Sequence, residues 1–208
     1  MEERIVFGKS MFQEKMDENR FGFDAQFRAN DENDPLAVHK FMRREAWELK
    51  GLHDLCQWLV DHGCNMGLCI EVGSFMGESA LVFAQYFDAV ICVDPFEFVG
   101  PGFDENIDNL NQAGLSRDIV RQGFRDNTSA VNNIALIEKP DSAVNLRADI
   151  VYIDSEHTFV ACLAAINRWK DKVTWVTGHD YVCADVKLAV DSVGKAVVFE
   201  DHSWVLER

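Results

Sequence analysis

Short apolar runs separated by stretches of helical spacing dominate the chain beyond about residue 67. The runs Leu68 to Val72, Ala89 to Val93, Asp149 to Ile153, Val173 to Thr177, Ala196 to Phe199 and Trp204 to Leu206 are bounded by polar or glycine-containing turns and predict strands. A weaker run near Ile119 to Arg121 predicts a seventh. Helices are expected over Glu78 to Phe87, Thr128 to Ile137, Phe159 to Trp169 and Asp185 to Val193, the last closed by Gly194. In the third of these, Phe159, Cys162, Leu163 and Ile166 fall on one face. Strands alternating with helices predict an α/β fold: a doubly wound, mostly parallel seven-stranded sheet covered on both faces.

The first part of the chain has a different texture. From Leu36 to His62 the apolar residues Phe41, Trp47, Leu49, Leu52, Leu55, Trp58 and Leu59 recur at helical spacing, with Gly63 as the stop. The first 34 residues are polar, with Phe7, Phe12, Phe21, Phe23 and Phe27 scattered among charges. No repeat, low-complexity tract or linker interrupts the chain. Residues 1–208 therefore read as one domain, with an arm over 1–35, a helical extension over 36–66 and an α/β core over 67–208.

Composition narrows the partners. With 20 Lys and Arg against 35 Asp and Glu among 208 residues, the net charge is −15. That balance argues against nucleic acid and against an anionic membrane surface, since both are bound through clustered cations. A hydrophobic content of 48%, with 15 Phe, 5 Trp and 3 Tyr, excludes an extended disordered chain. The amino terminus is charged and leads into no apolar segment. Six cysteines occur without a C-x-x-C pair, several inside apolar runs, so buried thiols and a cytoplasmic location are expected. A homo-oligomer is compatible with all of this.

In an open α/β sheet, ligands gather outside the carboxyl ends of the strands. After the first strand comes Glu71-Val72-Gly73-Ser74-Phe75-Met76-Gly77, an acidic residue followed by a glycine turn that enters a helix. Gly73 suits a tight turn and close backbone approach, and Gly77 suits close helix packing. Asp94 follows the second strand, 17 residues beyond Gly77, about where a nucleotide site places the acid that holds ribose hydroxyls. The spacing is not G-x-G-x-x-G and no G-K-[ST] follows, which disfavours pyrophosphate and triphosphate cofactors. A tight strand-to-helix connection alone would also favour these glycines.

The richest cluster lies further on. Asp154 stands at the edge of the fourth predicted strand with His157 three positions later, and Gly178-His179-Asp180-Tyr181 follows the next strand. With those strands adjacent, Asp154 and Asp180 lie at neighbouring tips and can share a divalent cation such as Mg2+. Taken singly, Asp154 also suits a helix N-cap, His157 a first-turn surface residue, Asp180 a turn former and His179 a satisfied core histidine.

From Leu68 onward these residues resemble the class I S-adenosylmethionine-dependent methyltransferases, with a Rossmann-like sheet. Glu71 to Gly77 resembles the family's first glycine motif, and Ile91-Cys92-Val93-Asp94 its ribose-binding acid. The segments Ile153 to Phe159 and Gly178 to Tyr181 are similar to a small bacterial-type subgroup that includes metal-dependent sugar O-methyltransferases. Catechol O-methyltransferases are similar more distantly; they have lysine where His157 stands and asparagine where Tyr181 stands.

The resemblance implies S-adenosylmethionine held by Glu71, Gly73, Ser74, Gly77 and Asp94, Mg2+ held by Asp154 and Asp180, and His157 as general base. It implies methyl transfer to a hydroxyl of a small molecule, a sugar or other polyhydroxylated metabolite. The alternatives are a nitrogen or protein acceptor, or a catalytically silent module that keeps the cofactor pocket.

Overall fold

The computed structural model describes residues 46–97 and 116–207. The predicted amino-terminal arm, the start of the helical extension and the loop around Gly100-Pro101-Gly102 lie outside them. Helix α1 (Ala46–Asp61) buries Leu52, Leu55, Cys56 and Leu59 completely. It ends as its sequence predicts. Gly63 adopts φ +75, and the amides of His62, Gly63 and Cys64 bond back to the carbonyls of Trp58, Val60 and Leu59.

Seven strands form one sheet: β1 (Leu68–Val72), β2 (Ala89–Val93), β3 (Ile134–Ile137), β4 (Ala148–Ile153), β5 (Val173–Gly178), β6 (Ala196–Val198) and β7 (Trp204–Leu206). Their spatial order is β3-β2-β1-β4-β5-β7-β6. The first five are mutually parallel, and β7 runs antiparallel to both its neighbours. Among the described residues four more α-helices connect them: α2 (Glu78–Phe83), α3 (Arg117–Thr128), α4 (Phe159–Trp169) and α5 (Ala184–Val193). Helices α1, α2 and α3 pack on one face around Phe83, Tyr152 and Phe124. Helices α4 and α5 pack on the other, around Trp169, Ile166 and Trp204.

Two expectations between β2 and β4 are corrected. The run near Ile119 is helical, inside α3. The Ser116 hydroxyl caps the helix by accepting the Ile119 amide at 3.3 Å. Val120, Gly123, Phe124 and Thr128 are then buried along one helical face. The predicted helix from Thr128 to Ile137 is instead a turn followed by β3. Asn133 donates to the carbonyls of Ala84 and Phe87, each at 3.0 Å, which pins the turn beneath α2 and aligns Ile134 with Val90 of β2. Helix α2 is also shorter than its pattern predicts, ending at Phe83.

All six cysteines are free; Cys183 is half-buried and the other five are buried. Among the described residues no helix is long and apolar enough to cross a membrane.

Candidate functional site

The register of the sheet brings the strand ends level. Val72 of β1 aligns with Val93 of β2 and Ile153 of β4, and Ile153 aligns with Gly178 of β5. Gly73, Asp94, Asp154 and His179 are therefore the first residues past four adjacent strand ends. The sheet order reverses between β1 and β4, so this edge is also the topological switch point.

The turn after β1 is tight. Gly73, Phe75 and Gly77 have φ of +84, +44 and +83. The Gly73 amide donates to the Val93 carbonyl at 3.0 Å. A Cβ on Gly73 would lie 1.9 Å from the Asp154 carbonyl oxygen, so the β1 turn and the β4 loop touch through backbone. A Cβ on Gly77 would meet Thr128 at 2.9 Å and Phe124 at 3.1 Å, consistent with the expected helix packing. Both glycines thus have reasons within the fold itself. Ser74 is buried, and its hydroxyl faces Glu71 and Cys92 without a well-aligned hydrogen bond to either.

The two acids around this turn differ in role. Asp94 accepts the amides of Ser74 at 2.8 Å and Phe75 at 3.0 Å on one oxygen, and that of Phe96 at 2.6 Å on the other. Burial raises its pKa, partly offset by those three amides. It locks the glycine turn to the end of β2, leaving about one of a carboxylate's four acceptor positions for a ligand. Glu71 is fully buried on the α2 face, accepting from the Ser79 hydroxyl and from the Cys92 thiol at 3.3 Å. Burial pushes its pKa up to about 7 against the pull of those hydrogen bonds.

The later cluster converges. His157 Nε2 lies 2.9 Å from Asp180 Oδ2 and 3.8 Å from Asp154 Oδ1. The ring nitrogen is buried, yet the Asp180 oxygen is not in line with it, so the contact is an ion pair rather than a hydrogen bond. Burial pulls the His157 pKa down, but the two carboxylates override it and raise it to about 10. Burial pushes Asp180 up, and His157 and His179 more than offset that, holding it well below the usual carboxylate range. Asp154 is not the cap of α4. That place belongs to Thr158, whose hydroxyl accepts the Ala161 amide at 3.3 Å. Asp180 does form a turn, at φ +58. Tyr181 points away to α5, its hydroxyl donating to Asp191 at 2.6 Å.

One ligand atom each from Asp154, His157 and Asp180 lie within 4.8 Å of one another, a spread that a divalent cation can bridge. Carboxylate oxygens are suitable hard ligands, so the donor set fits such an ion. Behind this cluster stand His179 and Asp201. His179 belongs to the polar group expected after the fifth strand, with a core histidine as its alternative reading, whereas Asp201, two residues before Ser203 in a turn, carries no local signal at all. The cationic stripe Arg117, Arg121 and Arg125 is neutralised on the surface by Glu97, Asp118 and Glu138.

No family model matches the chain, and no curated protein is similar to it in sequence. Solved structures are similar in fold. Magnesium protoporphyrin IX methyltransferase ChlM from Synechocystis PCC 6803, solved with bound S-adenosylmethionine, shares 15% identity over 90% of each chain at a TM-score of 0.51. The pyocyanin biosynthetic protein PhzM shares 13% identity over 84% of this chain and 58% of its own, at 0.53. SMU.1697c from Streptococcus mutans, in complex with S-adenosylhomocysteine, shares 11% identity over 79% of this chain and 97% of its own, at 0.51. The chain has the seven-stranded α/β, Rossmann-like fold of the S-adenosylmethionine-dependent methyltransferases.

Proposed function

We propose that this protein binds S-adenosylmethionine beside the β1 turn and transfers its methyl group to a hydroxyl of a small molecule, a sugar or other polyhydroxylated metabolite. One observation carries the reading: at the switch point, the glycine turn after β1 lies directly against the loop bearing Asp154 and His157, with Asp180 completing the cluster. A cofactor held by that turn would have its reactive end near three titratable groups. The cofactors named in the ChlM and SMU.1697c structures support the same ligand for this fold. The net charge of −15 and the paired arginines of α3 favour a small-molecule acceptor over nucleic acid.

In this reading Gly73, Ser74 and Gly77 line the cofactor with backbone, and Asp94 offers its remaining acceptor position to the ribose. Glu71 meets the amino end through water or the Ser74 hydroxyl. When bound, the cofactor supplies an electrophilic sulfonium methyl, so the protein's main task is alignment of the acceptor oxygen. Asp154 and Asp180 would hold a divalent cation, Mg2+ by their chemistry, which supplies a Lewis acid that makes a hydroxyl more acidic. His157 is the general base. At neutral pH its elevated pKa keeps it protonated while both carboxylates face it. A cation on Asp154 and Asp180 would offset their negative charge, and His157 would then be the residue placed to accept a proton.

Calorimetry with S-adenosylhomocysteine tests the first step, and a hydroxylated-acceptor screen with tritiated S-adenosylmethionine tests the second. Failure to bind either cofactor form would overturn the reading. Transfer that survives full chelation would remove the cation from it, and methylation confined to nitrogen acceptors would overturn the hydroxyl assignment.

A further inference from the structure

A second imidazole stands behind the proposed site. His179 follows β5 directly and is 11% exposed at its side chain. Its Nδ1 lies 3.3 Å from Asp180 Oδ2, the same oxygen that faces His157 Nε2 at 2.9 Å. On the other edge of the ring, Nε2 lies 4.0 Å from Asp201 Oδ2.

Asp201 is fully buried. Its carboxylate accepts the Ser203 amide at 3.0 Å and the Ser203 hydroxyl at 2.7 Å, and that hydroxyl sits 3.1 Å from the Tyr152 hydroxyl of β4. Helix α1 makes room for it: a Cβ on Gly51 would lie 2.3 Å from the Asp201 carboxyl carbon. Acids and imidazoles therefore alternate from the strand ends into the interior as Asp154, His157, Asp180, His179 and Asp201.

A buried carboxylate is expensive unless it is paired and hydrogen-bonded. Among the described residues the imidazole that faces the Asp201 carboxylate is that of His179, with Nε2 4.0 Å from Oδ2. The backbone around Asp180 is already fixed, with the His179 amide on the Ile153 carbonyl at 3.0 Å and the Tyr181 amide on the His202 carbonyl at 3.1 Å. What remains to be set is the rotamer of the Asp180 side chain.

We propose that His179 and Asp201 are positioning residues for Asp180. Asp201 faces one edge of the His179 ring at 4.0 Å and steadies it, and the Nδ1 edge, 3.3 Å from Asp180 Oδ2, fixes that oxygen opposite His157. The inference rests on the functional reading above, in which Asp180 and His157 are the working groups. Placement errors of an ångström at such groups are felt strongly in rate, so a rigid support two residues deep has a clear use.

The test compares crystal structures of wild type, His179→Ala, His179→Asn and Asp201→Asn grown with S-adenosylhomocysteine, alongside thermal unfolding and cofactor calorimetry. Asparagine can present an amide N–H close to the position of Nδ1. The His179→Ala variant is expected to lose the Asp180–His157 contact, and His179→Asn to restore it even if both unfold at similar temperatures. Asp201→Asn is expected to leave the Asp180 carboxylate in more than one rotamer.

On an acceptor that the wild type methylates, kcat should fall about tenfold in His179→Ala with cofactor affinity unchanged, and recover in His179→Asn. An Asp180 carboxylate that keeps its single wild-type position in both His179→Ala and Asp201→Asn overturns the inference. If the alanine variant does not fold, the Asp201→Asn structure decides alone. Wild-type protein that binds no cofactor would sink the functional reading, while the Asp180 geometry would still decide the positioning role.

Discussion

Gly73 and Asp154 are in contact through backbone alone: a single added carbon on the glycine would sit 1.9 Å from the Asp154 carbonyl oxygen. The Asp154 amide in turn donates to the Val72 carbonyl at 2.8 Å, which closes the junction between β1 and β4. Because Gly73 also has φ +84, alanine there meets both strain and a backbone clash. Gly73→Ala should cost about 3 kcal/mol or more, with a Tm fall of roughly 10 °C. Thermal unfolding of the variant checks this. A change of less than about 1 kcal/mol would mean that the two loops are not so close.

Asp94 makes a second prediction because its carboxylate holds three backbone amides. Asparagine keeps the shape but turns an N–H2 toward at least one of those donors. Asp94→Asn should lose about 1–3 kcal/mol of stability, the usual cost of leaving a buried donor unsatisfied. S-adenosylhomocysteine affinity should fall at least about tenfold as the turn loosens, a loss of about 1.4 kcal/mol. Urea unfolding and calorimetry measure the two effects separately. A variant as stable as wild type that still loses cofactor affinity would show that Asp94 serves the ligand and not the turn.

The legible parts of the chain are those in which local pattern and tertiary environment agree. Helix α4 and strand β7 run over the residues their patterns predict, because the apolar face of one and the continuous apolar run of the other are both buried. Between β2 and β4 the signals conflict. Arg117 to Thr128 is so polar that Ile119-Val120 stands out as a strand, although the decisive features are the Ser116 cap and the Val120–Phe124 spacing. Ile134 to Ile137 is too short for periodicity to separate strand from helix, and its identity comes from pairing with β2. The site shows the same division. Asp154, His157 and Asp180 are legible because strand ends point to them. The partnership of His179 with Asp201 arises where β5 meets the β6–β7 turn, from residues 22 positions apart, and no local spacing encodes it.

Glu71 should make stability depend on pH. Its carboxyl titrates near 4.5 when exposed and at about 7 in the fold, because it is fully buried. A raised carboxyl pKa favours the folded state fully below pH 4.5, and that advantage is lost as pH rises to 7. The difference of 2.5 units corresponds to about 3 kcal/mol. Glu71→Gln should therefore be more stable than wild type at pH 8 by up to about that amount, with the gap closing near pH 4.5. Urea unfolding across this range provides the measurement. A gap that does not change with pH would place the titration of Glu71 outside the folding equilibrium.

If Asp154 and Asp180 hold a cation as proposed, its binding should be linked to a proton on His157. In the metal-free protein the carboxylates of Asp154 and Asp180 keep His157 charged, with its pKa near 10. A raised histidine pKa contributes stability that is complete below about 6.5 and fades as pH rises through about 10, so the imidazolium is favoured throughout the physiological range. A divalent cation at the same two carboxylates replaces that charge. Binding of Mg2+ or Mn2+ should then release close to one proton per ion at pH 8, and the logarithm of the affinity should rise by about one per pH unit between about pH 6.5 and pH 10. Calorimetry in buffers of different ionisation enthalpy counts the proton directly. His157→Gln should bind the ion with almost no proton release above pH 6, because no imidazolium remains to discharge. Equal proton release in wild type and His157→Gln would place the displaced proton elsewhere, and would remove the reason for expecting His157 to become a base when the cation arrives.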